Sequence, residues 1–180
     1  MERLIADNAR REHFLSTVLT TEFLMALDVA ADSRQAIAPA LLRHPEYATE
    51  IALYIELFPE TISGEFPAMV ALVQRLDAAG VPVFGLTNWA GDTFTLMRPR
   101  LPTLALLRDI VVSGHEGLIK PDHRIFELLC RRGGFTAPDA VFVDDSLRNV
   151  EAARAFGMAG IHHRSAEQTT AELKALGFPG

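Results

Sequence analysis

Apolar positions follow two regimes along this chain. Up to about residue 60 they recur at intervals of three and four, in "NARREHFLSTVLTTEFLMALD", "SRQAIAPALLRH" and "YATEIALYIELF", which is the spacing of amphipathic helices. Asp32 or Ser33 offers an N-cap for the second segment, and Pro45 separates it from the third. No stretch in this part reads as a strand. From Phe66 the character changes. "EFPAMVALVQRLDAAG" places Met69, Val70, Val73 and Leu76 on one helical face and ends at Gly80. "VPVFGLT" follows as a compact apolar run bounded by turns, the pattern of a buried strand. Further strands "DIVVS", "AVFVDD" and "AGIHH" then alternate with helices "DHRIFELLCRR", "LRNVEAARAFG" and "AEQTTAELKALG". This alternation predicts an α/β fold, a Rossmann-like three-layer core whose mostly parallel sheet is covered on both faces by right-handed crossovers. A helical subdomain over residues 1–62 precedes a core over 63–180, with "PETISG", Pro59 to Gly64, as the expected hinge.

The chain has 180 residues, 49% of them hydrophobic, enough for one substantial core and unlike a disordered segment. A net charge of -6 without a Lys/Arg block argues against a nucleic-acid surface or a basic membrane helix. The start "MERLIADNARREHF" lacks the apolar region of a signal peptide, and no run reaches the ~18 apolar residues of a membrane helix. A cytoplasmic protein is expected. The single cysteine, Cys130, cannot close an internal disulfide, and its place in "RIFELLC" makes it a buried structural thiol. Phe14, Leu15 and Val18 on the first helix suit packing within the chain or on a second subunit, so a monomer or a homodimer is expected.

In open α/β sheets ligands bind beyond the carboxyl ends of the strands, which singles out three places. Thr87-Asn88 ends "VPVFGLTN". A hydroxyl and free backbone N–H groups there can hold phosphate oxygens, particularly if a helix opens near Asp92; the same residues also serve as turn formers and caps. Lys120, in "SGHEGLIKPD", follows a strand and a glycine turn. Its ammonium can neutralise a phosphoryl group or a carboxylate, or it can simply be solvated. Asp144 and Asp145 stand side by side at the end of "AVFVDD". Two adjacent carboxylates repel unless a cation or donors offset them, and hard oxygen ligands suit magnesium. Capping the following helix needs only one of them. Other polar residues carry less. Trp89 can line a pocket or pack on helices, His162-His163 lacks a third ligand nearby, and His115 and Glu116 lie in the turn before Lys120. Arg148 and Asn149 follow the acidic pair, and Asn149 can support a metal shell from behind.

Taken in order, "VPVFGLTN", "GLIKPDHRIFELL" and "VFVDDSLRNVEAARAFG" resemble motifs II, III and IV of the haloacid dehalogenase (HAD) superfamily, over nearly the whole chain. The N-terminal helices are similar to that superfamily's helical cap. The resemblance implies a Rossmannoid hydrolase in which an aspartate nucleophile forms a covalent intermediate that water cleaves. It further implies that Thr87 and the Asn88 backbone bind phosphoryl oxygens, that Lys120 steadies the nucleophile and the transferring group, and that Asp144 and Asp145 serve Mg2+. The substrate would be a small phosphorylated metabolite.

One departure stands out. The superfamily's motif I, an apolar strand ending in paired acids ahead of the cap, has no counterpart here. Asp7 in "RLIADNA" follows only three apolar-rich positions and reads as a helix cap, and Asp28 and Asp32 sit among helices. That strand would lie centrally, between those ending at Thr87 and Asp145, and its loss would strand backbone groups at a cost of several kcal/mol, on the order of one buried polar group or more. The expectation is therefore a chain beginning at an internal methionine, with roughly twenty residues ahead of it in the full protein, on the length of one short strand and its turn. Two other readings remain. A 2-haloacid dehalogenase uses the same fold and nucleophile without a metal, but the superfamily's dehalogenases carry Ser and Asn in place of the acidic pair. A non-catalytic binder of a phosphorylated ligand or partner takes the missing strand at face value.

Overall fold

The structure, a computed structural model, describes residues 5–179. Met1, and Arg3 and Leu4 of "RLIADNA", lie outside the described residues. Along the chain the elements are α1 (Asn8–Thr17), α2 (Thr21–Asp28), α3 (Ser33–Ala36), α4 (Ala38–Arg43), α5 (Ala48–Thr61), α6 (Pro67–Ala78), β1 (Gly85–Thr87) and α7 (Gly91–Met97). They continue as β2 (Ile110–Val112), α8 (Ser113–Glu116), α9 (His123–Gly133), β3 (Val141–Asp144), α10 (Leu147–Phe156), β4 (Ala159–His162) and α11 (Ala166–Ala175). Two compact units result. The first runs to Ser63 and also takes Asn88–Met97 and Val112–Ile119, and the second holds the rest. Where the sequence pattern placed one boundary after residue 62, two later segments join the first unit. Their backbone bonds explain it: Gly91 N donates to Ala30 O at 2.9 Å, Asp92 N to Ala31 O at 3.0 Å, and Ser113 Oγ to Asp28 O.

In the first unit, polar side chains start the helices by accepting otherwise orphaned N–H groups. Asp7 accepts from Arg10 N, Thr20 from Phe23 N, and Asp32 from Arg34 N and Gln35 N. The Thr20 cap is why the long periodic run over residues 8–28 forms two helices. Phe14, Phe23, Tyr47 and Ile51 are buried together in this unit's core. The expected hinge is shorter than "PETISG", because α5 continues past Pro59 to Thr61. Glycine takes over beyond it, at Gly64 with φ +140°. Replacing the Asp32 cap by alanine is expected to cost about 1 kcal/mol and roughly 2–4 °C in Tm. Scanning calorimetry that finds an unchanged Tm would show that this cap adds nothing.

The second unit is layered. β3 and β4 pair in parallel, with Val141 opposite Ala159 and Asp144 opposite His162. Successive side chains of a strand point to opposite faces, and the packing follows that rule. Val141 and Val143 pack with Leu72, Leu76 and Leu173 of α6 and α11, whereas Phe142 meets Phe126 of α9 edge-on at 5.3 Å. The ladder is thus covered on both faces. Gly160 allows α10 to lie close, since a Cβ there would stand 2.9 Å from Val150 Cγ1. β1 pairs with β2 as a separate ladder. Among the described residues no strand pairs with both β1 and β3, so the single sheet expected from the sequence is divided. β1 is also shorter than "VPVFGLT", since it begins only at Gly85; Pro82 has no N–H to offer a ladder.

Asp109 and Arg132 tie the start of β2 to α9 by a 2.6 Å ion pair. The Arg132 guanidinium, bonding the carboxylate directly, holds Asp109 below the usual carboxylate range. A depressed carboxyl stabilises the fold above its unfolded pKa and loses that contribution as pH falls through the folded one. Arg132→Met should return the Asp109 midpoint toward its ordinary value, read by carboxyl-carbon NMR; an unmoved midpoint would assign the shift elsewhere.

Candidate functional site

Thr87 closes β1 and Asp144 closes β3, so both strands deliver their last residues to a carboxyl end. Lys120 connects them. Its Nζ donates to Leu86 O at 2.8 Å, one residue before Thr87, and to Asp144 Oδ2 at 2.7 Å. The lysine and aspartate side chains of this pair are only 9% and 7% exposed, so the pair is a buried one. A loop lysine is therefore held in the second unit by one carboxylate oxygen and a strand-end carbonyl.

The two aspartates, indistinguishable in sequence, have different surroundings. Asp144 is saturated with donors: besides Lys120, Ser146 N reaches Oδ1 at 2.8 Å and Asn149 Nδ2 reaches it at 3.1 Å. Asp145 is exposed, and among the described residues no hydrogen bond engages its carboxylate. Its backbone oxygen accepts from His162 Nε2 at 2.9 Å. The sequence expectation gave both acids to the metal. The geometry divides them, with Asp144 bound up by Lys120 and Asn149 and Asp145 open. Asn149, expected to support the acidic pair from behind, donates to Asp144.

The residues fit a magnesium ion through Asp145. Magnesium keeps several waters and takes one or two carboxylates together with substrate phosphate, so one unengaged carboxylate beside a neutralised one suits it. A dense protein cage is not needed, and among the described residues no group of three or more His, Cys, Asp or Glu forms one.

The remaining sequence candidates are spread over both units. Asn88 and Trp89 belong to the first, where the Trp89 ring packs edge-on with Phe58 and Phe94 at 6.0 and 5.6 Å. His115 Nε2 lies 3.0 Å from Gly91 O, on the surface of the same unit. His163 Nδ1 meets the buried Thr169 hydroxyl at 2.7 Å, a structural role. Burial pushes the Cys130 thiol up, away from reactivity. Asp7 and Asp32 are occupied as caps. A groove of about 420 Å³ lies wholly in the first unit, beside Ser33, Arg34, Glu56 and Asp92, and includes none of the strand-end residues. His162, weighed in the sequence only as half of a histidine pair without a third ligand, reaches the Asp145 carbonyl from the end of the neighbouring strand.

Comparison with known proteins shows the family. The haloacid dehalogenase-like hydrolase family matches residues 36–157, and the chain belongs to that family. Over 108 residues it is 35% identical to the sesquiterpene phosphatase astK of Aspergillus oryzae, covering 60% of this chain and 55% of that protein. Over 129 residues it is 34% identical to mouse acyl-CoA dehydrogenase family member 10, covering 68% of this chain and 12% of the relative. The matched stretch thus spans about half of one curated relative and a small part of the other. Among solved structures, a predicted HAD-like hydrolase from Porphyromonas gingivalis superposes with TM-score 0.72 at 18% identity, over 99% of this chain and 89% of the other. A HAD family enzyme from Bacteroides thetaiotaomicron, solved with magnesium and inorganic phosphate, reaches 0.61 at 16% identity, over 91% and 86%. These likenesses give the HAD-like α/β fold. No helix among the described residues is long and apolar enough to cross a membrane.

Proposed function

We propose that this hydrolase is a magnesium-dependent phosphatase of a small phosphorylated metabolite, working through an aspartyl-phosphate intermediate. The observation that carries the reading is the Lys120–Asp144 pair at 2.7 Å beside the open Asp145 carboxylate. It is the arrangement a dianionic phosphoryl group requires. Lys120 supplies positive charge where negative charge accumulates, and Asp144 with Leu86 O fixes its ammonium in place. Thr87 takes a phosphoryl oxygen. Magnesium, held by Asp145, would offset the charge on those oxygens and orient the ester. The relatives support the class, one being named a sesquiterpene phosphatase and one neighbour binding magnesium and phosphate. A haloacid substrate fits less well, because its carboxylate would face Asp145.

The attacking aspartate is not assigned to any described residue, since Asp7 and Asp32 serve helix caps and Asp144 is saturated. The separation of β1 from β3 favours a second reading, a binder of phosphorylated ligands that does not turn them over. An assay of p-nitrophenyl phosphate hydrolysis with magnesium and with EDTA, alongside calorimetry with inorganic phosphate, separates the two. Magnesium-dependent turnover supports the phosphatase. Phosphate binding with no turnover supports the binder, and EDTA-insensitive turnover overturns the metal assignment.

A further inference from the structure

We propose that His162 is a positioning residue that aims the Asp145 carboxylate at the magnesium ion; the inference rests on the magnesium reading of the site. The Asp145 carboxylate has no hydrogen bond of its own among the described residues, so its direction depends on its backbone. That backbone is clamped. The peptide between Asp145 and Ser146 has both polar atoms engaged, its N–H by Asp144 Oδ1 at 2.8 Å and its C=O by His162 Nε2 at 2.9 Å. The preceding peptide is held through Asp144 O, which accepts from His163 N at 2.9 Å. Asp145 Cα therefore sits between two fixed peptide planes, and its Cα–Cβ direction follows from them.

Strand pairing makes this possible. β4 lies parallel to β3 with His162 opposite Asp144, so the His162 side chain starts one residue short of Asp145 and reaches its carbonyl. A carbonyl oxygen only accepts, which places the proton on Nε2. The His162 backbone is itself held, its O accepting from Gln168 Nε2 at 3.1 Å in α11. Of the clamps on the Asp145–Ser146 peptide, Asp144 is already committed to Lys120. His162 is thus the member whose removal frees the C=O of that peptide while leaving the ion pair intact.

Partners that orient a metal ligand are worth about tenfold to a hundredfold in metal affinity. Titration of magnesium alone into the full chain by isothermal calorimetry tests this, with Tm measured in parallel. His162→Phe keeps a flat ring without the donor and should weaken magnesium binding at least about tenfold, whereas His162→Gln, which retains an N–H, should recover most of it. Wild-type affinity in a folded His162→Phe protein overturns the proposal, as does a lowered Tm with unchanged affinity in both variants. If His162→Phe does not fold, His162→Gln with affinity as low as in an Asp145→Asn control also overturns it. A wild-type protein that binds no magnesium overturns the metal reading, and this inference with it.

Discussion

Lys120→Met is expected to cost both stability and phosphate handling. The variant leaves the Asp144 carboxylate, 7% exposed in its side chain, without its counter-charge. Breaking one side of a buried pair typically costs about 3–5 kcal/mol, because the remaining charge is uncompensated. In a chain of this size that lowers Tm by roughly 10 °C. Adding Asp144→Asn removes the orphaned charge and keeps an oxygen for Ser146 N, so the double variant should regain most of the lost stability. It should regain no phosphate binding or turnover, because the ammonium is still absent. Thermal denaturation of the single and double variants, with phosphate calorimetry on each, checks both arms. A double variant as unstable as the single one would mean that the lysine stem packs the site and that its charge is incidental.

Gly114→Ala is expected to be among the most damaging single-methyl changes in the first unit. An added Cβ would stand within 2.8 Å of three backbone atoms, Gly91 N, Ala30 O and Trp89 O. Side chains can rotate away from such an intrusion, but these are backbone atoms of two segments, around Ala30 and over Trp89–Gly91, that are joined by hydrogen bonds. Gly91 N is bonded to Ala30 O at 2.9 Å, and Gly114 N itself to Trp89 O at 3.1 Å. Overpacking that backbone cannot relieve lies at or above about 3 kcal/mol. Gly117→Ala makes the contrast: its φ of +66° favours glycine, yet nothing lies within 4 Å of the added carbon. Strain alone should cost that variant about 1–2 kcal/mol. Similar Tm losses in the two would remove the steric argument.

The strand tips are legible in the sequence. "VPVFGLT" and "AVFVDD" run from apolar to polar over a single residue, and Thr87 and Asp144 do close β1 and β3. The caps at Asp7 and Asp32 were readable for the same reason, since a cap involves only neighbours in the chain. Less visible were the extents of β1 and α5. The first begins only at Gly85, and the second passes Pro59 to end at Thr61.

Hydrophobic period reports on one element at a time, because it records which side of a helix or strand meets the core. It therefore determined the alternation of helices and strands, their caps and the polar residues at strand ends. Tertiary structure decided three further matters, each a choice among partners far apart in sequence. It gave Gly91–Met97 and Ser113–Glu116 to the first unit through bonds to Ala30, Ala31 and Asp28. It brought Lys120 to Asp144 and not to Asp145, which makes one carboxylate a counter-ion and leaves the other open. It set His162 opposite Asp144, within reach of the next peptide. Two adjacent aspartates are chemically equal in a sequence; they become different only when a buried ammonium can reach one of them.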